Sequence, residues 1–409
     1  MKKTILLIII FFLFQGIFHN LGHPVTPAFV RGLGINDYMF GVFFASMSFG
    51  LMLGAPIWGT LGDLGHRRRY ILMGLLLYSI GQIGFAYSEK AYLMVIFRFI
   101  SGFGVVGSMT IMTSYMIELS SLKDRARYLA YAAAVVTLGS SLGYYIGGFI
   151  ATNPFVVQLL GTDDYRLIFL IQAILNLIYA FTIYFTLTDP KEAKHATSRA
   201  SFIKGLKEIT HVKPSLLLFL ISLTLITIGA INLSKYIDIY FDELGYNPQE
   251  LGTFVMATGI VSLAASILLV PYFAKFKKQL KVIAVIHLLS ALIIFYVFRA
   301  PAFLLTMYTV FMIYVVLKAV YQPLEQNYIA LHAKEGKYGS VMGLRQSFIS
   351  IGMVIGPLLG GFLYEVRPVL LFDFSGFAFI AGVILLGVVY MIEKKGKNNE
   401  NNHESESSH

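Results

Sequence analysis

Charged side chains make up only 13% of this 409-residue chain, and those set inside long apolar runs are the ones most able to do chemistry. Lys318, Gln322 and Glu325 follow one another at i, i+4 and i+7, so a helix would carry all three on one face. Gln15, His19 and His23 repeat the four-residue step, with Asn20 beside them. Arg98 opens a run that later carries Thr110, Ser114 and Glu118, and Asn232, Lys235 and Asp238 share another, with Asp238 expected to reach its outer end. An ion in an apolar solvent is expensive, so such residues face protein or water and mark substrate or proton pathways. Glu325 is the first choice for a carboxylate that takes up and releases a coupling proton, with Lys318 tuning it or holding an anionic group. The alternative is structural. Lys318 and Glu325 lie about 10 Å apart along a helix and can neutralise one another through Gln322 or water, or Glu325 can pair with Arg345. His19 either lines a cavity or serves as a hydrogen-bonded packing residue.

The elements that must position these residues are membrane helices. The chain is 57% hydrophobic, against about 45–50% apolar and about 25% charged residues in soluble domains. Apolar runs at 4–27, 38–61, 70–87, 91–118, 128–150, 166–187, 214–237, 251–273, 282–298, 303–330, 340–364 and 369–391 each approach the roughly 20 residues of a helical crossing. Barrel strands alternate polarity over about 10 residues and do not fit. The opening MKKTILLIIIFFLF lacks a small-residue cleavage site and reads as a retained first span. The expected fold is an all-α membrane protein of twelve spans in two six-helix bundles around a central cavity, 1–187 and 214–393. They are joined by a central loop, 188–213, and followed by a disordered tail, 394–409. Twenty-three of the 32 lysines and arginines fall on the side of the termini and central loop, whereas five (Arg31, Lys90, Arg166, Arg299 and Arg367) fall on the other. The bias places both termini in the cytoplasm, and it explains the net charge of +10 without nucleic acid.

An internal repeat divides the spans six and six. Leu33-Gly34-Ile35-Asn36, with Gly41 beyond, matches Leu244-Gly245-Tyr246-Asn247 with Gly252 beyond, 211 residues on. GSSLGYYIGG from Gly139 matches GMVIGPLLGG from Gly352, 213 residues on. Within these segments Gly139, Gly143 and Gly147, and likewise Gly352, Gly356 and Gly360, fall on one helix face, where a neighbouring backbone can approach closely. Pro357 adds a possible bend, because it removes a helical hydrogen bond. Cysteine is absent, and no Gly-x-x-x-x-Gly-Lys-Ser/Thr loop, His-Glu-x-x-His or Gly-x-Ser-x-Gly motif occurs. Nucleotide, metal, cofactor and hydrolase chemistry therefore have no motif, and the chain is not expected to be an enzyme.

The segment from Gly59 through Leu61 and Asp63 to Arg67, Arg68 and Arg69 resembles the signature loop of the major facilitator superfamily, a Gly-x-Leu-x-Asp stretch ahead of a basic cluster. Arg98, Gly102 and Gly104 resemble the Arg-x-x-x-Gly-x-Gly pattern of its drug/proton antiporters, and GMVIGPLLGG resembles their Gly-x-x-x-Gly-Pro-x-x-Gly-Gly motif. Leu64 stands where the family usually has a basic residue, His66 where it has glycine, Tyr144 where the span-five motif has proline, and Ala274 where a second-half Asp would stand. The resemblance implies a secondary transporter working by alternating access in a bacterial cytoplasmic membrane. It moves a small organic molecule, with proton-driven drug or metabolite efflux expected and nutrient uptake by symport the alternative. Gly59, Asp63, Arg67 and Arg68 would form a conformational latch, with Asp63 capping a helix of the opposite bundle in one state. The expected partners are substrate, protons and lipid, and the protein is expected to work as a monomer. An intramembrane lipid-modifying enzyme and a passive channel are the readings from other classes.

Overall fold

The computed structural model describes residues 2–63, 65–189, 213–273, 275–276, 278–331 and 338–406. Most of the central loop therefore lies outside the described residues, as do Leu64, Ala274, Lys277, Lys334 and Lys337. Among the described residues twelve helices are long and apolar enough to cross a membrane, running from Lys3–Asn20 to Pro368–Lys395. Two of them carry Phe185 and Leu268, each more than 70% exposed, a surface that suits lipid and not water.

The helices are α1 (Lys2–Asn20), α2 (Thr26–Gly32), α3 (Tyr38–Asp63), α4 (Arg67–Tyr87), α5 (Ala91–Leu119), α6 (Leu122–Thr152), α7 (Pro154–Leu160) and α8 (Arg166–Thr186). After the central loop come α9 (Pro214–Glu243), α10 (Pro248–Leu268), α11 (Val270–Phe273), α12 (Gln279–Val297), α13 (Phe303–Tyr308), α14 (Val310–Leu331), α15 (Tyr338–Val366) and α16 (Pro368–Glu406).

Four local differences from the sequence expectation have physical causes. The first span is not continuous over 4–27: α1 stops at a turn over residues 21–25, where Pro24 and Pro27 withhold backbone donors. Gly22 in that turn is packed so tightly on Phe169 and Gln172 that a Cβ would collide with them. The tenth span breaks at Thr309, whose hydroxyl donates to the Leu305 carbonyl at 2.6 Å and competes with the helix ladder. The amphipathic α7, held by the Asn153 side chain at its start and left-handed Gly161 at its end, is an element the apolar-run reading omits. Finally, α16 continues through residues 394–406, where a disordered tail is expected. Extending an existing helix avoids the nucleation cost that would keep such a polar segment unstructured alone.

The chain sorts into two compact units. One comprises residues 1–201, 234–263 and 357–368, and the other residues 202–233, 264–356 and 369–409. In the first, Phe11, Phe12, Trp58, Tyr115 and Tyr179 anchor a core, with Trp58 Nε1 donating to the Phe103 carbonyl at 2.7 Å and Tyr179 Oη to the Phe11 carbonyl at 2.9 Å. Lipid offers helices little hydrophobic drive to associate, so close backbone approach must hold them together. The glycine stripes supply it. A Cβ at Gly139, Gly143 or Gly147 would strike the carbonyl oxygen of Leu13, Ile17 or Leu21, binding α6 to α1. In the second unit Gly352 meets Thr227 and Gly356 meets Ile228 and Ile231, so α15 lies on α9 in the same manner.

Candidate functional site

At one end of the first unit the internal repeat is visible in the backbone. Gly34 and Gly245, 211 residues apart, both take left-handed conformations, with φ of 70° and 82°. Each closes a helix: the Gly34 amide donates to the Arg31 carbonyl at 2.9 Å, and the Gly245 amide to that of Asp242 at 3.0 Å. The two residues just before these turns, Arg31 and Asp242, occupy equivalent positions in the repeat and form an ion pair with each other at 2.8 Å. Arg31 also holds Asp37 with two hydrogen bonds, at 2.9 and 2.7 Å, and lies 3.5 Å from Glu243. Burial pulls the Arg31 guanidinium down, but the Asp37 and Asp242 carboxylates more than offset this and hold it above the usual arginine range. Glycines at repeat-related positions complete the packing. Gly41 meets the Pro357 carbonyl, while Gly252 meets that of Tyr144, the residue equivalent to Pro357. Tyr236 Oη donates to the Pro357 carbonyl at 2.9 Å, and the Tyr38 amide to Glu365 at 2.9 Å. The apolar-run reading did not foresee this seal, although the 211-residue offset pairs Arg31 with Asp242 and could have pointed to it.

Beneath the seal lies a buried polar cluster. Asp238 does not reach the outer surface as expected: it is 3% exposed and accepts a 2.7 Å hydrogen bond from Tyr144 Oη. One helical turn earlier, Lys235 places its Nζ 5.3 Å from the centre of the Phe44 ring. His23 stacks on Tyr144 with ring centres 5.3 Å apart. Arg98, 5% exposed, places its Cζ 3.7 Å from the centre of the Phe85 ring, and among the described residues its Nε has no hydrogen-bond partner. Further along, Gln15 donates to Ser108 at 2.7 Å, His19 bonds Asn176 at 2.9 Å, and Gln172 donates to Tyr78 Oη at 2.8 Å. His19 and Gln15 thus take part in a packed network that ties α1 to α4, α5 and α8.

The second unit holds the other candidates. Glu325 is 1% exposed and receives two hydrogen bonds from Arg345, from Nε at 2.6 Å and Nη2 at 2.7 Å. Gln322 is exposed and Lys318 half-buried, so the three residues of that face sit in three different environments. Asn232 is fully buried, and neither its Nδ2 nor its Oδ1 finds a hydrogen-bond partner among the described residues. Among the described residues both ring nitrogens of His287, 4% exposed, also lack a hydrogen-bond partner, and its ring meets that of Tyr321 edge-on at 4.3 Å. A lone histidine within an apolar run was the available signal for it.

The signature loop lies at the opposite end of the first unit from Arg31. Asp63 is exposed, with no hydrogen bond or ion pair among the described residues. Arg67 is buried against Glu118 and the Tyr115 ring, and Arg68 pairs with Asp189 at 3.2 Å. Gly59 has ordinary contact with Thr110, so its spot could accept a methyl group. Among the described residues no three His, Asp or Glu side chains gather as metal ligands would.

A family model described as the Major Facilitator Superfamily matches residues 4–317 and 280–408. "Multidrug resistance protein 2" of Bacillus subtilis (strain 168) is 25% identical over 97% of both chains. "Quinolone resistance protein NorA" of Staphylococcus aureus (strain MSSA476) is 25% identical over 94% of both. Among solved structures, a bacterial homolog to the human lysosomal transporter Spinster, inward-facing and occupied, aligns with 95% of each chain at a TM-score of 0.73 and 14% identity.

Proposed function

Because the chain belongs to the Major Facilitator Superfamily, we propose that it exports small organic molecules across a bacterial cytoplasmic membrane in exchange for protons. It is a multi-pass membrane protein and a secondary transporter of small molecules by alternating access, not an enzyme. The observation that carries the proposal is similarity over nearly the whole chain to two drug-resistance proteins, supported by the motif at Arg98, Gly102 and Gly104 and that at Gly352 to Gly361.

The charge bias puts both termini and the central loop in the cytoplasm, so the Arg31 end faces outward. The two six-helix halves, 1–187 and 214–393, are the moving bodies, and a single copy carries out the cycle. In this reading the ion pairs of Arg31 stabilise the outward-closed state, and Asp63 stays unpaired until the latch of Gly59, Asp63, Arg67 and Arg68 engages in the other state. Gln15, His19, Arg98, Asn232, Lys318, Gln322 and Glu325 line or support the path. Glu325, which accepts two hydrogen bonds from Arg345, is the first candidate proton carrier. Asp238, held by one neutral donor, is the second. Proton symport is the alternative coupling, favoured by the cations Arg98 and Lys235: a proton on Asp238 would leave them better able to hold an anion entering alongside it. Uptake of a fluorescent quinolone into proteoliposomes separates the two. Antiport concentrates the probe in vesicles with an acidic lumen, symport in vesicles in acidic medium, and indifference to the gradient rejects both.

A further inference from the structure

The polar cluster beneath the Arg31 seal is out of electrostatic balance. Among the described residues it contains two basic side chains, Arg98 and Lys235, and a single carboxylate, Asp238, which Tyr144 already engages. Among the described residues no carboxylate comes within ion-pair distance of either cation. The two cations lie within electrostatic range of each other, and His23 feels both. Positive charge gathered at membrane depth is costly unless an anion compensates it.

The geometry shows where that anion would go. Arg98 Cζ lies 3.7 Å from the centre of the Phe85 ring, and among the described residues its buried Nε has no hydrogen-bond partner, a donor of the kind that matches carboxylate and phosphate oxygens. Lys235 rests its ammonium on the Phe44 ring, whose neighbour Phe43 packs edge-on against Phe85 at 5.6 Å. One aromatic ring, Phe85, thus lies against Arg98 and another, Phe44, against Lys235.

We propose that Arg98 and Lys235 form a recognition site for an anionic group, a carboxylate, sulfonate or phosphate, borne by an aromatic or otherwise apolar solute. The proposal names the substrate class for the carrier described above and rests on that reading. Arg98 takes two oxygens of the anion, Lys235 a third contact, and the phenylalanines the apolar body. Asp238 sets the net charge of the site, +1 when ionised and +2 when protonated.

The test is the unfolding temperature of the full chain in detergent with benzoate, benzenesulfonate or phenyl phosphate, against benzylamine and benzyl alcohol at equal ionic strength. At least one anion should raise it saturably, with benzylamine giving no rise. Arg98→Gln and Lys235→Gln should each weaken the apparent affinity roughly thirtyfold or more, as expected for truncating a buried charge contact. Lys235→Arg, which keeps the charge, should retain the effect and guards against a folding defect in the glutamine variants. Stabilisation by benzylamine alone, by none of the three anions, or by an anion equally well in both glutamine variants overturns the proposal. Solute movement in vesicles is scored separately. A chain stabilised by an anion that carries nothing loses the transport reading and keeps the site, whereas a carrier of benzylamine that no anion stabilises keeps the transport reading and loses the site.

Discussion

Replacing Arg31 with Gln should open the seal. Arg31 reaches Asp242 at 2.8 Å and Glu243 at 3.5 Å, with the three side chains 25%, 22% and 38% exposed. Ion pairs this accessible to solvent are worth about 0.2–1 kcal/mol each. Losing both costs the sealed arrangement roughly 0.5–2 kcal/mol, a factor of about 2 to 30 in its equilibrium with an open one. Three carboxylates, Asp37, Asp242 and Glu243, would then face one another without a cation, which pushes the effect toward the upper end. The chain has no cysteine of its own, so Ser141→Cys gives a clean reporter. Ser141 is 4% exposed and packs on Gly259 beneath the seal. An impermeant thiol reagent added outside should label it about tenfold faster in Arg31→Gln than with Arg31 intact. The exchanged pair Arg31→Asp with Asp242→Arg should bring the rate back down. An unchanged rate in Arg31→Gln, in protein that folds and inserts normally, would refute the idea that these ion pairs hold the end closed.

Three further outcomes follow from the same structure. A cysteine placed at Asn36 should react with an impermeant reagent from outside whole cells, and one at His66 only after the cytoplasmic face is opened; the reverse pattern overturns the topology. Asp63→Asn should leave expression and unfolding temperature unchanged, since Asp63 has no partner to lose among the described residues, yet slow transport severalfold; normal turnover would remove the latch. Glu325→Gln removes the carboxylate that accepts both bonds from Arg345, and breaking a buried pair costs about 3–5 kcal/mol, so its unfolding temperature should drop and recover on adding Arg345→Met. A stable Glu325→Gln that loses uphill transport alone would instead mark Glu325 as the proton carrier.

Span number and order were legible in the sequence because lipid imposes a strong rule: every crossing needs a long apolar run, and the backbone must satisfy itself within it. The repeat was legible too, and it foreshadowed the equivalent turns at Gly34 and Gly245. The breaks at residues 21–25 and at Thr309 escaped an apolar-run reading because hydropathy does not register lost donors or a side-chain hydroxyl competing for a carbonyl. The candidate site was legible as residue types and, of the pairings open to Glu325, the structure has the one with Arg345. Helical spacing put Glu325 with Lys318 and Gln322, whereas the carboxylate is clamped by Arg345 from another helix. Asp238, expected at an outer helix end, is buried instead. Tyr144 stood out as a departure from a proline motif, and the structure gives that departure a use: its hydroxyl holds Asp238.

Proton-driven carriage is tested most directly in proteoliposomes with an imposed pH gradient and a panel of lipophilic cations and aromatic carboxylates. At least one solute should accumulate, chemically unchanged, above its equilibrium level in vesicles with an acidic lumen, and a protonophore should release it. Equilibration that ignores the gradient would indicate a channel, a chemically altered solute an enzyme, and either result would contradict the assignment.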